Sequence, residues 1–392
     1  MKQRAVRTVL LALATTTAVG AATLAPAYAA VPERTAGRGH EATMAALRQM
    51  VEKRGLPGVA AEVLDGRKRW FGSAGVADTA TGRKRSADDH FRAASITKPF
   101  IATVVLQLAA ERRLSLDDTV EKWLPGLVRG NGNDGRTITL RQLLNHTSGL
   151  PNYTLDPDFE AESTGSRFPE HRYDNHTPQE LLAVALKYPR TSVPGAKAVY
   201  SNTGYVLAGL VIEKVTGRSY AEEVTRRLIE PLELGETSFP GSGVTMPDPH
   251  PVAYSRLLDP APDAPVVDAT EQNMTYLGAA GDMISTTGDL LRFQQALMRG
   301  ELLPGAQMKE LLTVVPAAGG FSFGLGIGTT TLSCGVEVVG KTGRANGSMS
   351  VLIGTRDGSH QLAFNTNSDW ADPSHTNVME AEFCGKAPAP TG

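Results

Sequence analysis

The chain has 392 residues, of which 41% are hydrophobic and 20% are charged, a composition typical of globular proteins. Its 39 Lys and Arg residues are matched by 41 Asp and Glu residues, so the sequence offers no basic excess that would attract phosphate backbones or anionic lipids. This balance disfavours nucleic-acid binding. The length allows one large core or two sub-domains.

The N-terminal segment has the pattern of a secretory signal peptide. Three basic residues precede an apolar run from Val9 to Leu24, and Ala27-Tyr28-Ala29 supplies a small-residue cleavage pattern. A membrane anchor is the alternative, but the run is short and diluted by Thr and Ala. We therefore predict a signal peptide over residues 1–29 and a secreted, extracellular protein.

Two cysteines, Cys334 and Cys384, stand late in the chain. Export implies an oxidising compartment, in which we expect them to form one disulfide. Closing a loop of about 50 residues would stabilise the fold by at most roughly 4 kcal/mol on the chain-entropy model. A metal site is disfavoured, because no Cys or His residues stand near the pair at zinc-like spacing and the histidines show no H-E-x-x-H pattern.

The first predicted elements are a helix, a hairpin and a second helix. Apolar residues recur on one face over Ala42 to Arg54, which predicts the first helix. Strand-like segments at Val59 to Leu64 and Arg69 to Val76 are joined by Asp65-Gly66, a strong hairpin-turn signal. A long apolar helix is predicted from Ser95 to Arg112.

Strand signals fade between Asp117 and Thr270, where helical patches alternate with loops rich in Gly, Pro and Asn. The patches are Leu140 to Leu144, Pro178 to Leu186 and Tyr205 to Val215. Beyond this region, a helix at Gly288 to Arg299 is followed by an antiparallel meander with a turn at Asp357-Gly358. The predicted strands are Phe321 to Thr331, Val336 to Lys341, Ser348 to Gly354 and Gln361 to Asn365.

Strand signals near both chain ends, with helices between them, predict a discontinuous domain. We expect an α/β domain made of residues 30–116 and 271–386, with an all-helical domain of residues 117–270 inserted into it. The Pro-rich end, residues 387–392, is expected to be a loose tail.

Ser95 and Lys98 form an S-x-x-K motif at the start of the predicted apolar helix. Positions three apart share a helix face, so the Lys98 amine is placed beside the Ser95 hydroxyl. The positive potential of a helix N-terminus favours alkoxide character at the serine and a depressed lysine pKa. The pair is therefore a candidate nucleophile and base, although this spacing alone is also common by chance.

Two further motifs carry polar groups. Tyr200-Ser201-Asn202 precedes an apolar helix, and its phenol can relay protons while its amide can hold a substrate carbonyl; helix capping and aromatic packing are the alternative. Lys341-Thr342-Gly343 lies on a predicted edge strand, where Gly343 would admit a substrate backbone. Lys341 and Thr342 would offer a cation and a hydroxyl to an anionic group, and a surface turn is the alternative.

The order S-x-x-K, Y-x-N, K-T-G resembles the serine penicillin-recognising family of class C β-lactamases, secreted D-alanyl-D-alanine carboxypeptidases and related esterases. The resemblance extends from about Gly58 to Lys386. Its further supporting stretches are His146 to Leu150, Tyr200 to Val215, Gly278 to Leu291 and Phe323 to Gly326. The secreted carboxypeptidases are the most similar members, because they share the runs Ser333 to Val338 and Phe383 to Lys386.

The resemblance implies a β-lactamase/transpeptidase-like fold, with an antiparallel sheet flanked by helices in an α/β domain that packs on an all-α domain. It implies that Ser95 lies in the cleft between them. The implied activity is that of a secreted serine D-Ala-D-Ala carboxypeptidase, which forms an acyl-enzyme on peptidoglycan peptides and is acylated by β-lactams. No cofactor is expected, and a monomer is the default for a secreted enzyme of this size.

The implied mechanism begins with attack by Ser95 on the terminal amide carbonyl. Asn202 would align the acyl chain of the substrate, and backbone N–H groups would hold the oxyanion. The choice of general base between Lys98 and Tyr200 stays open. Lys341 would lower the pKa of either group, because a neighbouring cation penalises a protonated lysine and favours a phenolate.

The sequence departs from the carboxypeptidases at two positions. Lys341 stands where they typically carry His, and Gly328 stands where they carry a carboxylate-binding Arg. Arg344, whose N–H is the expected second oxyanion donor, is a hypothetical replacement for this lost cation. Phe159 and Tyr276 lie in loops that flank the cleft of the family and are candidate substrate contacts, with ordinary packing as the alternative.

Two other functions stay open. A class C-like β-lactamase or a serine esterase uses the same machinery and differs in how fast the acyl-enzyme is hydrolysed. A non-catalytic penicillin-binding or peptidoglycan-binding protein would keep the fold as a recognition module, but all three motifs are intact.

Overall fold

A computed structural model describes residues 39–370 and 374–386 of the chain. The predicted signal peptide and the predicted C-terminal tail lie outside these residues. The α-helices of the described ranges are α1 (Glu41–Glu52), α2 (Thr97–Ala110), α3 (Val120–Trp123), α4 (Leu140–Leu144), α5 (Pro157–Ser163), α6 (Phe168–His171), α7 (Pro178–Leu186), α8 (Thr203–Thr216), α9 (Tyr220–Val224), α10 (Thr287–Met298), α11 (Gly305–Leu312) and α12 (Ser374–Cys384).

The strands of the described residues form one large sheet and three two-stranded ribbons. They are β1 (Gly58–Asp65), β2 (Lys68–Gly75), β3 (Phe91–Arg92), β4 (Arg129–Gly130), β5 (Asn133–Asp134), β6 (Tyr254–Ser255), β7 (Val267–Asp268), β8 (Ile284–Ser285), β9 (Val315–Pro316), β10 (Ser322–Phe323), β11 (Gly328–Thr331), β12 (Glu337–Ala345), β13 (Ser348–Thr355) and β14 (His360–Thr366).

The large sheet is antiparallel, with the strand order β2-β1-β14-β13-β12-β11-β10-β9. Strands from both ends of the described chain meet in it, because β1 pairs with β14 and Val59 lies opposite Thr366. The predicted hairpin is confirmed, since β1 and β2 pair along their whole length. These pairings confirm the predicted antiparallel sheet.

Helices cover both faces of this sheet. Alternate residues of a strand point to opposite faces, so the neighbours Leu352 and Ile353 of β13 enter two different apolar clusters. The cluster that holds Ile353 is closed by α1 and α12, which contribute Leu47 and Val378. The cluster that holds Leu352 includes α2, α8 and α10, and α2 is buried along most of its length.

The region between α2 and α10 is mostly helix and loop. Within it, α4 and α7 have the predicted bounds and α8 is slightly longer than predicted. The prediction that residues 117–270 are all helical is wrong in detail, because the short ribbons β4–β5 and β6–β7 also lie there. The predicted domain boundaries stay predictions.

The late meander differs from its prediction at one strand. The segment predicted as one strand from Phe321 to Thr331 is two strands, β10 and β11, joined by a turn in which the N–H of Gly324 donates to the carbonyl of Ile327. Gly326 in this turn has φ +80° and lies so close to α2 that a Cβ would come within 2.6 Å of the Ala102 Cβ. The tight turn therefore ends one strand and starts the next.

The predicted disulfide is present between Cys334 and Cys384, with 5.7 Å between the two Cα atoms. Cys334 lies in the connection between β11 and β12, and Cys384 is the last residue of α12. The bond therefore ties the C-terminal helix to the sheet at the start of β12.

In the part of the chain that the structure describes, each helix is too short or too polar to cross a membrane. Across the same residues, no group of three or more His, Cys, Asp and Glu side chains is arranged to hold a metal ion.

Candidate active site

Ser95 lies in a single 3₁₀ turn, Ala94–Ile96, which runs directly into α2. It is partly exposed, whereas its neighbours on both sides are buried. Ala94 has φ +48°, a left-handed conformation that is costly for a residue with a Cβ. The turn therefore presents the serine hydroxyl at the surface of an otherwise buried helix start.

Lys98 follows one helical turn later and is fully buried, with 0% of its surface exposed. Its Nζ lies 2.9 Å from the Ser95 Oγ, 2.8 Å from the Asn202 Oδ1 and 2.6 Å from the carbonyl oxygen of Ala280. The last two atoms can only accept hydrogen bonds, so the amine donates to both. A neutral Lys98 then directs its lone pair at the serine hydroxyl.

The electrostatic surroundings favour this neutral form. Burial lowers the pKa of Lys98 well below its ordinary value, and the charge of Lys341 lowers it further. The predicted depression of the lysine pKa thus agrees with the structure, with burial as its main cause. A lysine whose pKa is lowered loses its own proton more readily, and its neutral amine can then accept a proton from Ser95.

Tyr200 lies in the loop that precedes α8 and contacts the same serine. Its hydroxyl lies 2.8 Å from the Ser95 Oγ, and its ring lies 5.1 Å from the Nζ of Lys98 and 5.1 Å from the Nζ of Lys341. Burial raises the pKa of Tyr200 above its ordinary value. The expected lowering of this pKa by Lys341 is not seen, because desolvation of the phenolate outweighs the lowering by the hydrogen bond with Ser95.

Asn202 ends the loop that carries Tyr200 and is nearly buried. Its Oδ1 accepts from Lys98, its Nδ2 donates to the Thr154 Oγ1 at 3.3 Å, and its N–H donates to the Asn152 Oδ1. The amide therefore orients the lysine amine, in addition to the predicted role of aligning a substrate.

Lys341, Thr342 and Gly343 lie in the second half of β12. This strand is internal in the sheet, which corrects the prediction of an edge strand, but β11 pairs with it only as far as Gly340. The K-T-G segment therefore keeps one unpaired side. The Lys341 Nζ donates to the Thr342 carbonyl at 3.1 Å, and burial lowers the pKa of Lys341 to about 8.

Gly343 allows close packing between β12 and the serine turn. A Cβ at this position would lie 2.1 Å from the Ala93 carbonyl oxygen and 3.2 Å from the Ser95 nitrogen. The glycine thus lets β12 pack against the turn that carries the nucleophile, and its expected role in admitting a substrate backbone stays a prediction.

Arg344 is exposed next to this segment. Within the described ranges its guanidinium has no hydrogen-bond or ion-pair partner. Gly328, the position of the missing arginine, begins β11 and lies opposite Gly340. The structure thus leaves the Arg344 guanidinium available to an anionic group, whereas Gly328 has no side chain that could bind one.

Phe159 and Tyr276 are 6% and 5% exposed. The Phe159 ring packs edge-on against Tyr153 at 5.4 Å and against His176 at 5.2 Å. The Tyr153 hydroxyl donates to the Tyr276 carbonyl oxygen at 2.8 Å. Both side chains thus pack between loops and offer little surface to a substrate.

Two functional groups were not predicted from the sequence. The Ala280 carbonyl is a backbone atom, and no side-chain pattern marks it. His146 packs against the Tyr200 ring with 4.3 Å between ring centroids, and its Nδ1 accepts from the Ser201 N–H. The only sequence feature that marked His146 was its position in the stretch from His146 to Leu150, which supports the family resemblance.

The Ser95 hydroxyl is hydrogen-bonded to a buried lysine and a buried tyrosine, and it lies at the start of a helix next to the K-T-G strand. This arrangement identifies the protein as a serine hydrolase. Residues 44–378 match the family described as Beta-lactamase. The chain belongs to this family, whose relatives include penicillin-binding proteins.

Solved structures of a D-stereospecific amidohydrolase and of a D-amino acid amidase are similar to this chain. A D-stereospecific amidohydrolase from Streptomyces sp. is 51% identical with a TM-score of 0.84, over 89% of this chain and 100% of that chain. The D-amino acid amidase from Ochrobactrum anthropi SV3, complexed with L-phenylalanine, is 27% identical with a TM-score of 0.76, over 88% and 98% of the two chains.

Curated relatives are more distant. Penicillin-binding protein 4* of Bacillus subtilis (strain 168) is 29% identical over 267 residues, which is 65% of this chain and 55% of the relative. Protein flp of Staphylococcus aureus (strain COL) is 31% identical over 190 residues, 48% of this chain and 36% of the relative. The chain thus spans about half of the length of these relatives, or less.

Proposed function

We propose that this protein is a D-stereospecific amidohydrolase, which forms an acyl-enzyme on Ser95 and hydrolyses amides and short peptides of D-amino acids. The observation that carries the chemistry is the geometry of Lys98, whose two obligatory acceptors leave one position for the serine hydroxyl. The D-specificity is supported by the similarity to the Streptomyces amidohydrolase over nearly the whole described chain.

The proposed reaction starts when Lys98 takes the Ser95 proton and the Oγ attacks the amide carbonyl. The N–H groups of Ser95 and Arg344 stabilise the oxyanion. Tyr200, which burial keeps protonated, donates its proton to the leaving nitrogen as the C–N bond breaks. Return of the proton from Lys98 to Tyr200 restores both groups, and water then hydrolyses the ester.

The missing carboxylate anchor favours an amide substrate over a carboxypeptidase substrate. A primary amide has an uncharged leaving group, so it needs no cation at the position of Gly328. A terminal D-alanine leaves as an amino acid with a free carboxylate, which is costly to bury unpaired and, without a cation at Gly328, depends on Lys341 or Arg344.

The test compares four substrates with the mature protein: D-phenylalanine amide, L-phenylalanine amide, an N-acylated peptide that ends in D-Ala-D-Ala, and benzylpenicillin. We expect hydrolysis of the D-amide at a rate far above that of the L-amide, measured by chiral chromatography of the released amino acid. Intact-mass analysis and peptide mapping with benzylpenicillin should show an adduct on Ser95. Ser95→Ala, which removes the nucleophile without changing the packing, should abolish both.

The other outcomes decide between the alternatives. Equal hydrolysis of both amides contradicts D-specificity. Rapid consumption of penicillin with a short-lived adduct indicates a β-lactamase, and hydrolysis of simple esters alone indicates an esterase. A protein that binds penicillin non-covalently and hydrolyses none of the substrates would be a recognition module.

A D-Ala-D-Ala carboxypeptidase is the second candidate, and the exposed Arg344 favours it. This guanidinium, two residues after the Thr342 carbonyl that accepts from Lys341, can hold a substrate carboxylate as a charge-assisted pair. Arg344→Gln should then raise the KM for the D-Ala-D-Ala peptide by roughly tenfold or more, as expected when one such pair is lost. The KM for D-phenylalanine amide should not change.

A further inference from the structure

His146 is a buried histidine that has no hydrogen bond to Ser95 or Lys98. It lies two residues after the end of α4, is 3% exposed and has φ +60°, a backbone conformation that a histidine adopts only at a cost. The surrounding contacts must offset this strain. The contacts that hold His146 in this conformation therefore point to a functional role.

The contacts of His146 converge on Tyr200 from three directions. The Val199 N–H donates to the His146 carbonyl oxygen at 2.8 Å, and the Ser201 N–H donates to the His146 Nδ1 at 3.3 Å. The imidazole packs on the Tyr200 ring, with 4.3 Å between centroids and 34° between the planes. Both chain neighbours of Tyr200 and its ring thus depend on this one residue.

These contacts matter because Tyr200 lies outside regular secondary structure. Residues 197–201 form neither helix nor strand, so no backbone ladder fixes the direction of the phenol. Phe323 contacts the imidazole edge-on at 4.9 Å and lies 6.2 Å from the Tyr200 ring, so the three rings pack as one cluster that restricts Tyr200. A small rotation at Tyr200 would move its hydroxyl away from the Ser95 Oγ, now 2.8 Å distant.

The imidazole is suited to this task only in its neutral form. Its Nδ1 accepts a backbone N–H, so the proton of the neutral ring is on Nε2. Burial lowers the pKa of His146 well below its ordinary value, and the charges of Lys98 and Lys341 lower it further. The ring therefore keeps its acceptor over the pH range in which the site works.

We propose that His146 is the positioning residue for Tyr200, and that its ring, packed on the phenol, and its Nδ1 acceptor together hold the phenol at the serine. This role rests on the proposed acyl-enzyme chemistry of Ser95. His146 itself does not touch the reacting atoms. Its removal should slow acylation through Tyr200 and leave substrate binding nearly unchanged.

Two variants separate the two contacts. His146→Asn tolerates a positive φ and can offer its Oδ1 to the Ser201 N–H, but it loses the ring. His146→Phe keeps a ring against Tyr200 and loses the acceptor. Each should lower kcat by about 10- to 100-fold, the range expected when a catalytic group is misplaced by up to about 1 Å, with little change in KM.

A double-mutant cycle with Tyr200→Phe distinguishes positioning from general stability. If His146 acts through the phenol, adding His146→Phe to the Tyr200→Phe protein should lower the acylation rate by less than about twofold, because the hydroxyl that His146 positions is already absent. An equal loss in both backgrounds would overturn the proposal. His360→Phe is the control, since His360 donates to Glu382 of α12 and should affect the melting temperature without changing kcat.

The cycle also separates this inference from the proposed function. A fluorophosphonate probe reacts with an activated serine whatever the natural substrate, so labelling of Ser95 can be followed in every variant. A wild-type protein that is labelled but hydrolyses no D-amide refutes the proposed function, while the labelling rates still decide the role of His146. A crystal structure of His146→Asn with an unmoved Tyr200 hydroxyl would contradict that role.

Discussion

Lys98 and Lys341 both lie close to the ring of Tyr200. The Nζ atoms of Lys98 and Lys341 each lie 5.1 Å from the centre of the Tyr200 ring. Lys98 contacts two obligatory acceptors and the serine hydroxyl, whereas Lys341 contacts the Thr342 carbonyl. The two amines are therefore suited to different states, a neutral Lys98 beside the serine and a charged Lys341 towards an anionic substrate.

This difference predicts the pH dependence of acylation by benzylpenicillin, which carries a carboxylate. The rate should rise with pH as Lys98 loses its proton. It should fall above pH 8, because Lys341 has its pKa lowered to about 8 and is charged only below that value. The measurement is the second-order rate constant of Ser95 acylation between pH 5 and 10, with both limbs read as properties of coupled groups.

Lys341→Arg is the matched variant for the alkaline limb. A guanidinium stays protonated throughout this range, so the fall above pH 8 should disappear while the acid limb stays. An unchanged alkaline limb would show that another group, such as Tyr200, controls it.

At the scale of elements, the site depends on close packing between β12 and the serine turn. Gly343→Ala would place a Cβ 2.1 Å from the Ala93 carbonyl oxygen, so the strand or the turn must move. We expect a loss of about 1–3 kcal/mol in the free energy of unfolding and at least tenfold slower acylation. Urea unfolding and Ser95 labelling measure the two effects.

Gly305→Ala provides the control for this prediction. Gly305 begins α11, has an ordinary φ and leaves open space around an added Cβ. The substitution should change stability by no more than about 0.5 kcal/mol and leave acylation unchanged. A Gly343→Ala protein that behaves like this control would show that the packing of β12 against the turn is not critical.

The disulfide belongs to the same scale, because it joins α12 to the start of β12. Replacing Cys334 and Cys384 together by Ser should lower the free energy of unfolding by up to about 4 kcal/mol, since the unfolded chain regains the entropy of an open loop. Acylation should persist in the folded protein, because Lys341 to Gly343 lie in the opposite half of β12. A folded double variant without acylation would contradict this separation.

At the scale of the whole molecule, we propose that the protein is secreted as a monomer after removal of residues 1–29. Expression in a host with a general secretion pathway should release a protein that begins at Ala30, as read by N-terminal sequencing. Substituting Ala29 by a bulky residue should block this cleavage, because the enzyme that removes signal peptides requires small residues there. A protein that retains residues 1–29 in the cell would contradict the proposal.

The sequence by itself determined the features that depend on short-range patterns. The S-x-x-K spacing places Lys98 beside Ser95 in any helix. Asp65-Gly66 joins two strand-like segments, which predicts the hairpin of β1 and β2. With two cysteines in the chain, one intramolecular disulfide is possible. Each of these inferences needs only neighbours in sequence or a simple count.

The tertiary structure alone decided the features that depend on what surrounds a group. The pKa of Tyr200 rises although two lysines are near, because the extent of burial is set by residues distant in sequence. Gly343 is required by the Ala93 carbonyl, and His146 meets Tyr200 across 54 positions of the chain. Contacts of this kind arise when the sheet and helices pack, and local sequence carries no record of them.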